Sequence, residues 1–96
     1  MSQNYDNSFY TREELLSLGI KSVGENVYIS RKSSFYGCSE ISIGSNVRID
    51  DFCILSGKIE ICDFVHISAY VALYGGTKGY FLKIVPVHLQ KQLFMH

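Results

Sequence analysis

Five side chains in a short stretch of this 96-residue chain could do chemistry on a polar substrate: Arg48, Asp50, Asp51, His66 and Tyr70. Histidine is the residue type that exchanges a proton near neutral pH, so a well-placed one can serve as general base or acid. Asp50 and Asp51 are adjacent carboxylates that could orient such a histidine or bind a hydroxyl. Their place after Ile49, in the turn half of a repeat, also suits the commoner task of closing a turn through bonds to nearby amides. Arg48 precedes His66 by eighteen residues, and Phe52 precedes Tyr70 by the same distance. His88 and His96 lie in a C-terminal stretch outside the pattern described below and are given no catalytic role. The three cysteines, Cys38, Cys53 and Cys62, are odd in number and lack metal-type pairing, so no metal site is expected.

The spacing of eighteen matters because of the elements that must hold these residues. Ile43, Ile49, Leu55, Ile61, Ile67 and Leu73 recur at every sixth position, and Val47, Cys53, Ile59, Val65 and Val71 form a second series of the same period. Helices repeat every 3.6 residues and ordinary strands every 2, so neither explains a strict period of six. Hexapeptide repeats mark a β-helix. Each six residues make a short strand and a turn, and three such sides close a coil of eighteen. Residues 43–60 then lie under 61–78, with Ile43 under Ile61, Val47 under Val65 and Leu55 under Leu73. Gly57 is expected at a turn under Gly75. Like stacks on like, and the column buries what no single coil could. The spacing predicts Arg48 and His66 as vertical neighbours on the outer surface, and Phe52 and Tyr70 as an outward aromatic pair. An earlier coil carries Val23, Ile29, Phe35 and Ile41; the step of two from Ile41 to Ile43 predicts a two-residue insertion near Gly37.

The expected class is therefore all-β: a parallel β-helix of about three coils with a short N-terminal capping helix. Thr11 to Gly19 supplies that helix. Thr11 and Glu14 make a capping box, Tyr10 and Leu15 a hydrophobic staple, and Gly19 a stop. Leu15, Leu16 and Leu18 are expected to cover the open end of the first coil, where strands would otherwise expose unpaired backbone. The organisation reads as residues 1–22 for the N-terminal segment, 23–78 for the β-helix, and 79–96 for a non-repeat tail. Hydrophobic residues make up 47% and the net charge is zero. There is no basic stretch to suggest nucleic acid, no apolar run long enough to span a bilayer, and no signal-peptide pattern at the N-terminus, so a cytoplasmic protein is expected.

Val23-Gly24-Glu25-Asn26-Val27, Ile43-Gly44-Ser45-Asn46-Val47 and Ile61-Cys62-Asp63-Phe64-Val65 resemble the hexapeptide repeat of bacterial transferases. From Phe9 to Gly76 the chain is similar to sugar O-acetyltransferases of surface-polysaccharide biosynthesis. The resemblance implies a left-handed helix, an exception to the usual right-handed crossover. It implies a homotrimer, with acetyl-CoA as acyl donor in the groove between neighbouring helices and a sugar acceptor approaching the thioester there. His66-Ile67 matches a place where such enzymes often carry His-Ile, which makes His66 the candidate catalytic base. Arg48, Asp50, Asp51 and Tyr70 become candidates for the substrate groove beside it.

After Thr77 the sixfold pattern stops, whereas the similar enzymes continue for several more coils. A shifted reading frame across 90–96 can encode a further repeat strand, so a C-terminally truncated member with a frame-shifted tail is expected. Two functions follow: an acetyl-CoA-dependent O-acetyltransferase or its N-terminal remnant, or a catalytically inactive β-helical fragment. A zinc carbonic anhydrase on the same fold would need three histidines shared across an interface, and only His66 lies in the repeats. An ice-binding helix would show arrays of threonine, and this chain has only Thr11 and Thr77.

Overall fold

A computed structural model describes residues 8–82. The chain is a left-handed parallel β-helix closed at one end by a helix. The helix α1, Arg12–Ser17, begins at Thr11, whose hydroxyl accepts from the Glu14 amide at 3.1 Å while the Glu14 carboxylate accepts from the Thr11 amide at 2.8 Å. Gly19, at φ +96°, turns the chain out of it. Of the three leucines expected over the first coil, Leu15 is buried, but Leu16 and Leu18 are exposed. A helix of six residues makes fewer than two turns and offers the coil a single face. Ile20, beyond the Gly19 turn, completes the cover.

Strands follow in the order β1 (Ser22–Val23), β2 (Tyr28–Ile29), β3 (Ser34–Tyr36), β4 (Ile41–Ile43), β5 (Arg48–Ile49), β6 (Ile54–Ile61), β7 (His66–Ile67) and β8 (Ala72–Leu82). Every pairing among them is parallel. One face of the helix stacks β1, β4 and the second half of β6. The next stacks β2, β5 and β7, and the third stacks β3, the first half of β6 and the start of β8. Between the second and third coils the register step is eighteen, as in Ile43 to Ile61 and Arg48 to His66. Between the first and second it is twenty through Tyr36 to Ser56, then eighteen from Ile41 to Ile59. The two extra residues fall directly after Gly37, in a 3₁₀ turn at Cys38–Glu40.

All six members of the main apolar series are buried, with Ile49 and Leu55 fully so. Val47, Cys53 and Ile59 are buried beside them, whereas Val65 and Val71, in the last coil, are only partly so. Left-handed backbone makes the corners. Gly37, Gly57 and Gly76 have positive φ at one, Asn26, Asn46 and Phe64 at a second, and Phe52 and Tyr70 at the third. Gly57 stands under Gly76 and not under Gly75, a correction of one residue. Gly75 is a buried bulge pressed on the Lys58 carbonyl, where a Cβ would collide with backbone. This bulge widens the register from eighteen to nineteen at Gly57 and Gly76, a second shift before Ile59 and Tyr80 takes it to twenty-one, and β8 continues to Leu82, past the point where the sixfold spacing stops. Residues 83–96, including His88, His96 and the stretch read as frame-shifted, lie outside the described residues.

Candidate functional site

The face built by β2, β5 and β7 carries one outward residue per coil. Tyr28, Arg48 and His66 stand in register there, while Ile29, Ile49 and Ile67 alternate inward. Strand alternation thus places an arginine and a histidine on adjacent rungs of one surface. The turn that follows Ile49 brings in the third member. Asp50 accepts a hydrogen bond from Arg48 Nε on one carboxylate oxygen at 3.0 Å, and its other oxygen lies 2.9 Å from His66 Nε2. Arg48 and His66 are more than half exposed, at 58% and 57%, and the Asp50 side chain at 28% is the better enclosed.

The His66 bond, followed by the Arg48 bond, holds the Asp50 carboxyl below its ordinary range, against a smaller opposing cost of burial. An ionised carboxylate only accepts, so the neutral imidazole must place its proton on Nε2, toward Asp50. That leaves Nδ1 with a lone pair on an exposed ring. The arrangement can take a proton from a substrate group, with the carboxylate stabilising the imidazolium that forms.

One contributor escaped the sequence reading. The guanidinium of Arg48 stands over the ring of Phe9 at 5.6 Å, and Phe9 meets Tyr28 edge-on at 5.6 Å. Phe9 is brought there because the segment before α1 runs antiparallel to β2, with Phe9 bridged to Ser30 and the Tyr10 amide donating to the Ile29 carbonyl at 2.9 Å. No spacing rule could find it, since Phe9 precedes the repeats.

The other two candidates are placed elsewhere. The Asp51 side chain accepts from Ser30 Oγ, and its carbonyl accepts from the Tyr70 amide at 3.1 Å, so it braces a corner. Tyr70 stacks on Phe52 with centroids 5.3 Å apart, and the Lys32 ammonium lies 5.6 Å from the Phe52 centroid. The adjacent carboxylates therefore divide: Asp50 orients the histidine, and Asp51 closes the turn. Cys38, Cys53 and Cys62 are free thiols, and among the described residues no group of three His, Cys, Asp or Glu side chains is gathered as a metal site would require.

No family model matches the chain. It is 57% identical over 68 residues to a dTDP-4-amino-4,6-dideoxy-D-glucose acyltransferase from Escherichia coli, a match that takes in 68% of this chain and 35% of that enzyme. Among solved structures it is similar to AntD, an N-acyltransferase from Bacillus cereus. A complex of AntD with dTDP and 3-hydroxybutyryl-CoA superposes with a TM-score of 0.73 at 59% identity, over 79% of this chain and 42% of AntD. A point mutant bound to dTDP-4-amino-4,6-dideoxyglucose and coenzyme A gives 0.75 at 60% identity, over 80% and 41%. Its homologues are acyltransferases. The chain spans between 35% and 42% of the length of these relatives, and the matched part takes in most of the described coils.

Proposed function

We propose that this chain forms the first coils of an acyl-CoA-dependent acyltransferase whose acceptor is the amino group of a dTDP-linked amino sugar. The observation that carries the reading is the Asp50–His66 pair on the outer face of a β-helix whose relatives bind those two substrates. A sugar hydroxyl was the acceptor implied by family resemblance. The relatives' acceptor carries an amine and AntD is an N-acyltransferase, which favours nitrogen. In this reading His66 Nδ1 takes the proton that the amine loses as its nitrogen attacks the thioester carbonyl. The new C–N bond forms, the C–S bond breaks, and the proton passes to the departing thiolate. Asp50 fixes the imidazole tautomer and offsets its charge. Arg48, held by Asp50 and Phe9, serves as a positioning residue for the acceptor. Homotrimeric assembly, a cytoplasmic site of action and a product destined for surface polysaccharide belong to the same reading. Among the described residues no helix is long and apolar enough to cross a membrane.

Holding a thioester against an amine can supply some 7–11 kcal/mol of a barrier, and a short prism offers few coils to do it. The 96-residue chain alone is expected to release thiol from acetyl-CoA slowly or not at all. A chimera joined to the remainder of the E. coli relative is expected to turn over dTDP-4-amino-4,6-dideoxyglucose and to lose about 10²–10⁴-fold on His66→Ala. Turnover that survives His66→Ala would remove the base assignment. Equal turnover of the analogue bearing a hydroxyl in place of the amine would return the reading to O-acylation.

A further inference from the structure

The Arg48 guanidinium is fixed in more ways than holding Asp50 requires. Asp50 takes a single N–H from it, through Nε at 3.0 Å. The ring of Phe9 lies against it at 5.6 Å, and Phe9 is itself held: its ring meets Tyr28 edge-on and its backbone is bridged to Ser30. The chain on either side is pinned as well, the Tyr10 amide donating to the Ile29 carbonyl at 2.9 Å and the Arg31 amide to the Ser8 carbonyl at 3.1 Å. The Arg31 side chain adds a bond to Glu14 at 2.7 Å and lies 5.3 Å from the centre of the Tyr10 ring. An anchored N-terminal segment therefore sets an aromatic ring against a cation that is still 58% exposed. The two terminal nitrogens of Arg48 carry the rest of its N–H donors and meet no acceptor among the described residues.

A guanidinium held in place with its terminal N–H groups open suits an oxyanion that can be gripped twice. The planar fork matches phosphate oxygens in pairs, and fixing it beforehand removes an ordering cost that a free side chain would meet on binding. Steadying Asp50 alone would be met by a lysine ammonium as well, with no aromatic support. The neighbouring rungs give the anion a direction. Tyr28, Arg48 and His66 stand on successive coils of one face, about 4.8 Å apart. In dTDP-4-amino-4,6-dideoxyglucose the amine is on C4 and the diphosphate on C1, at opposite ends of the pyranose ring. A sugar lying along this column with its amine at His66 brings its diphosphate to the rung below, at Arg48. The nucleoside beyond it then reaches Phe9 and Tyr28, whose rings meet at 78° and make a corner for a flat base.

We propose that Arg48 is the diphosphate anchor of a nucleotide-sugar subsite, with the nucleotide lying toward the α1 end of the β-helix and the sugar amine at His66. The proposal rests on the acyltransferase reading for the identity of the nucleotide, and its test reads binding and direction, not turnover. It gives the segment before α1 a task, since Phe9 lies outside the repeats and forms one wall of the subsite. It also makes the diphosphate, more than the sugar, what the first two coils recognise. Lys32 supplies the contrast: its ammonium lies 5.6 Å from the Phe52 centroid at a separate corner, and among the described residues no carboxylate holds it. A cation tethered on one side only has no preset geometry to offer a phosphate.

The experiment titrates the 96-residue chain with dTDP, inorganic pyrophosphate and thymidine, followed by NMR at the Arg48 Nε–H and at the Phe9, Tyr28 and Phe52 rings. Both dTDP and pyrophosphate are expected to move the Arg48 signal, and only dTDP to move the Phe9 and Tyr28 rings. Thymidine, which lacks the anion, should bind about tenfold or more weakly than dTDP. Arg48→Lys keeps the charge and loses the fork, and should weaken dTDP by about tenfold or more. Phe9→Leu leaves the guanidinium and removes its aromatic support, and should weaken dTDP by about threefold. Lys32→Gln should change nothing. Equal dTDP affinity in Arg48→Lys, shifts centred on Phe52, thymidine binding as tightly as dTDP, or no binding at millimolar dTDP would each overturn the proposal. In the chimera, turnover with a KM for the nucleotide sugar that ignores Arg48→Lys would sink this proposal alone. Binding of dTDP at Arg48 without acyl transfer would support the subsite and count only against the acyltransferase reading.

Discussion

Replacing Ile49 by alanine tests the column at its centre. Ile49 is fully buried, with Ile29 below it and Ile67 above, each in strand register. The change removes three carbons, and at about 0.8 kcal/mol per buried methylene the transfer cost is about 2.4 kcal/mol. A cavity walled by the coils on both sides cannot close without breaking their register, which places the total at roughly 3–5 kcal/mol. Domains of this size are stable by only about 5–14 kcal/mol, so much of the stability is at stake. Urea unfolding should show the midpoint falling by about 1 M or more, for a slope of about 1–3 kcal/mol per molar. Ile67→Ala supplies the comparison. The same carbons are lost, but Ile67 is 5% exposed and the described residues place no coil over it, so its surroundings can settle and the loss should be nearer about 2 kcal/mol. If Ile67→Ala costs as much as Ile49→Ala in the 96-residue chain, the reasoning from coil position fails.

Three further outcomes are expected. Carboxyl NMR should show Asp50 titrating below its ordinary 3.8, with His66→Ala raising the midpoint more than Arg48→Ala because the His66 bond is the larger cause. Because the folded value lies below the unfolded one, the stability this group contributes is present above the ordinary value and is lost as pH falls through the folded one; a midpoint at or above 3.8 would contradict the geometry. Gly57→Ala should lower stability by more than the roughly 1–2 kcal/mol of a left-handed alanine, since φ is +87° and a Cβ would lie 2.6 Å from the Gly76 nitrogen. Gly76→Ala, with no atom within 4 Å of its Cβ, should pay the conformational cost alone in thermal unfolding. A double-mutant cycle on Phe52 and Tyr70 should give a coupling of about 0.5–1.5 kcal/mol, and none if the stacked pair is absent in solution.

The fold was legible because its cause is periodic. An apolar residue at every sixth position can be buried only if the chain turns at the same interval, so burial, coil length and the outward pairs Arg48–His66 and Phe52–Tyr70 follow from one number. Even the insertion after Gly37 showed itself, because the apolar series had to step by two to regain its place. The irregular corner at Gly75 left no such trace. A bulge there moves residues away from any fixed spacing, and β8 pairs on to Leu82 through a stretch that looks patternless when counted in sixes. Leu16 and Leu18 were misassigned for a related reason: three leucines in four residues cannot share one face of so short a helix.

The site was legible only as far as it is vertical. Arithmetic of eighteen puts His66 above Arg48 and says nothing about Asp50, which lies sixteen residues before His66 and in the following turn. The link is diagonal: the side chain must reach back across the strand end to meet a residue of the next coil. It does so because its two carboxylate oxygens face different donors, Arg48 within its own coil and His66 in the next. Asp51, one residue on, points into the corner and meets Ser30 instead. Adjacent carboxylates on an extended turn diverge, so sequence adjacency argues against a shared role as much as for one. Phe9 completes the group from outside the repeats, its ring lying against the Arg48 guanidinium that Asp50 holds through Nε. The candidate site is thus joined by side-chain reach across two coils and by an N-terminal segment, and a period along the chain encodes neither.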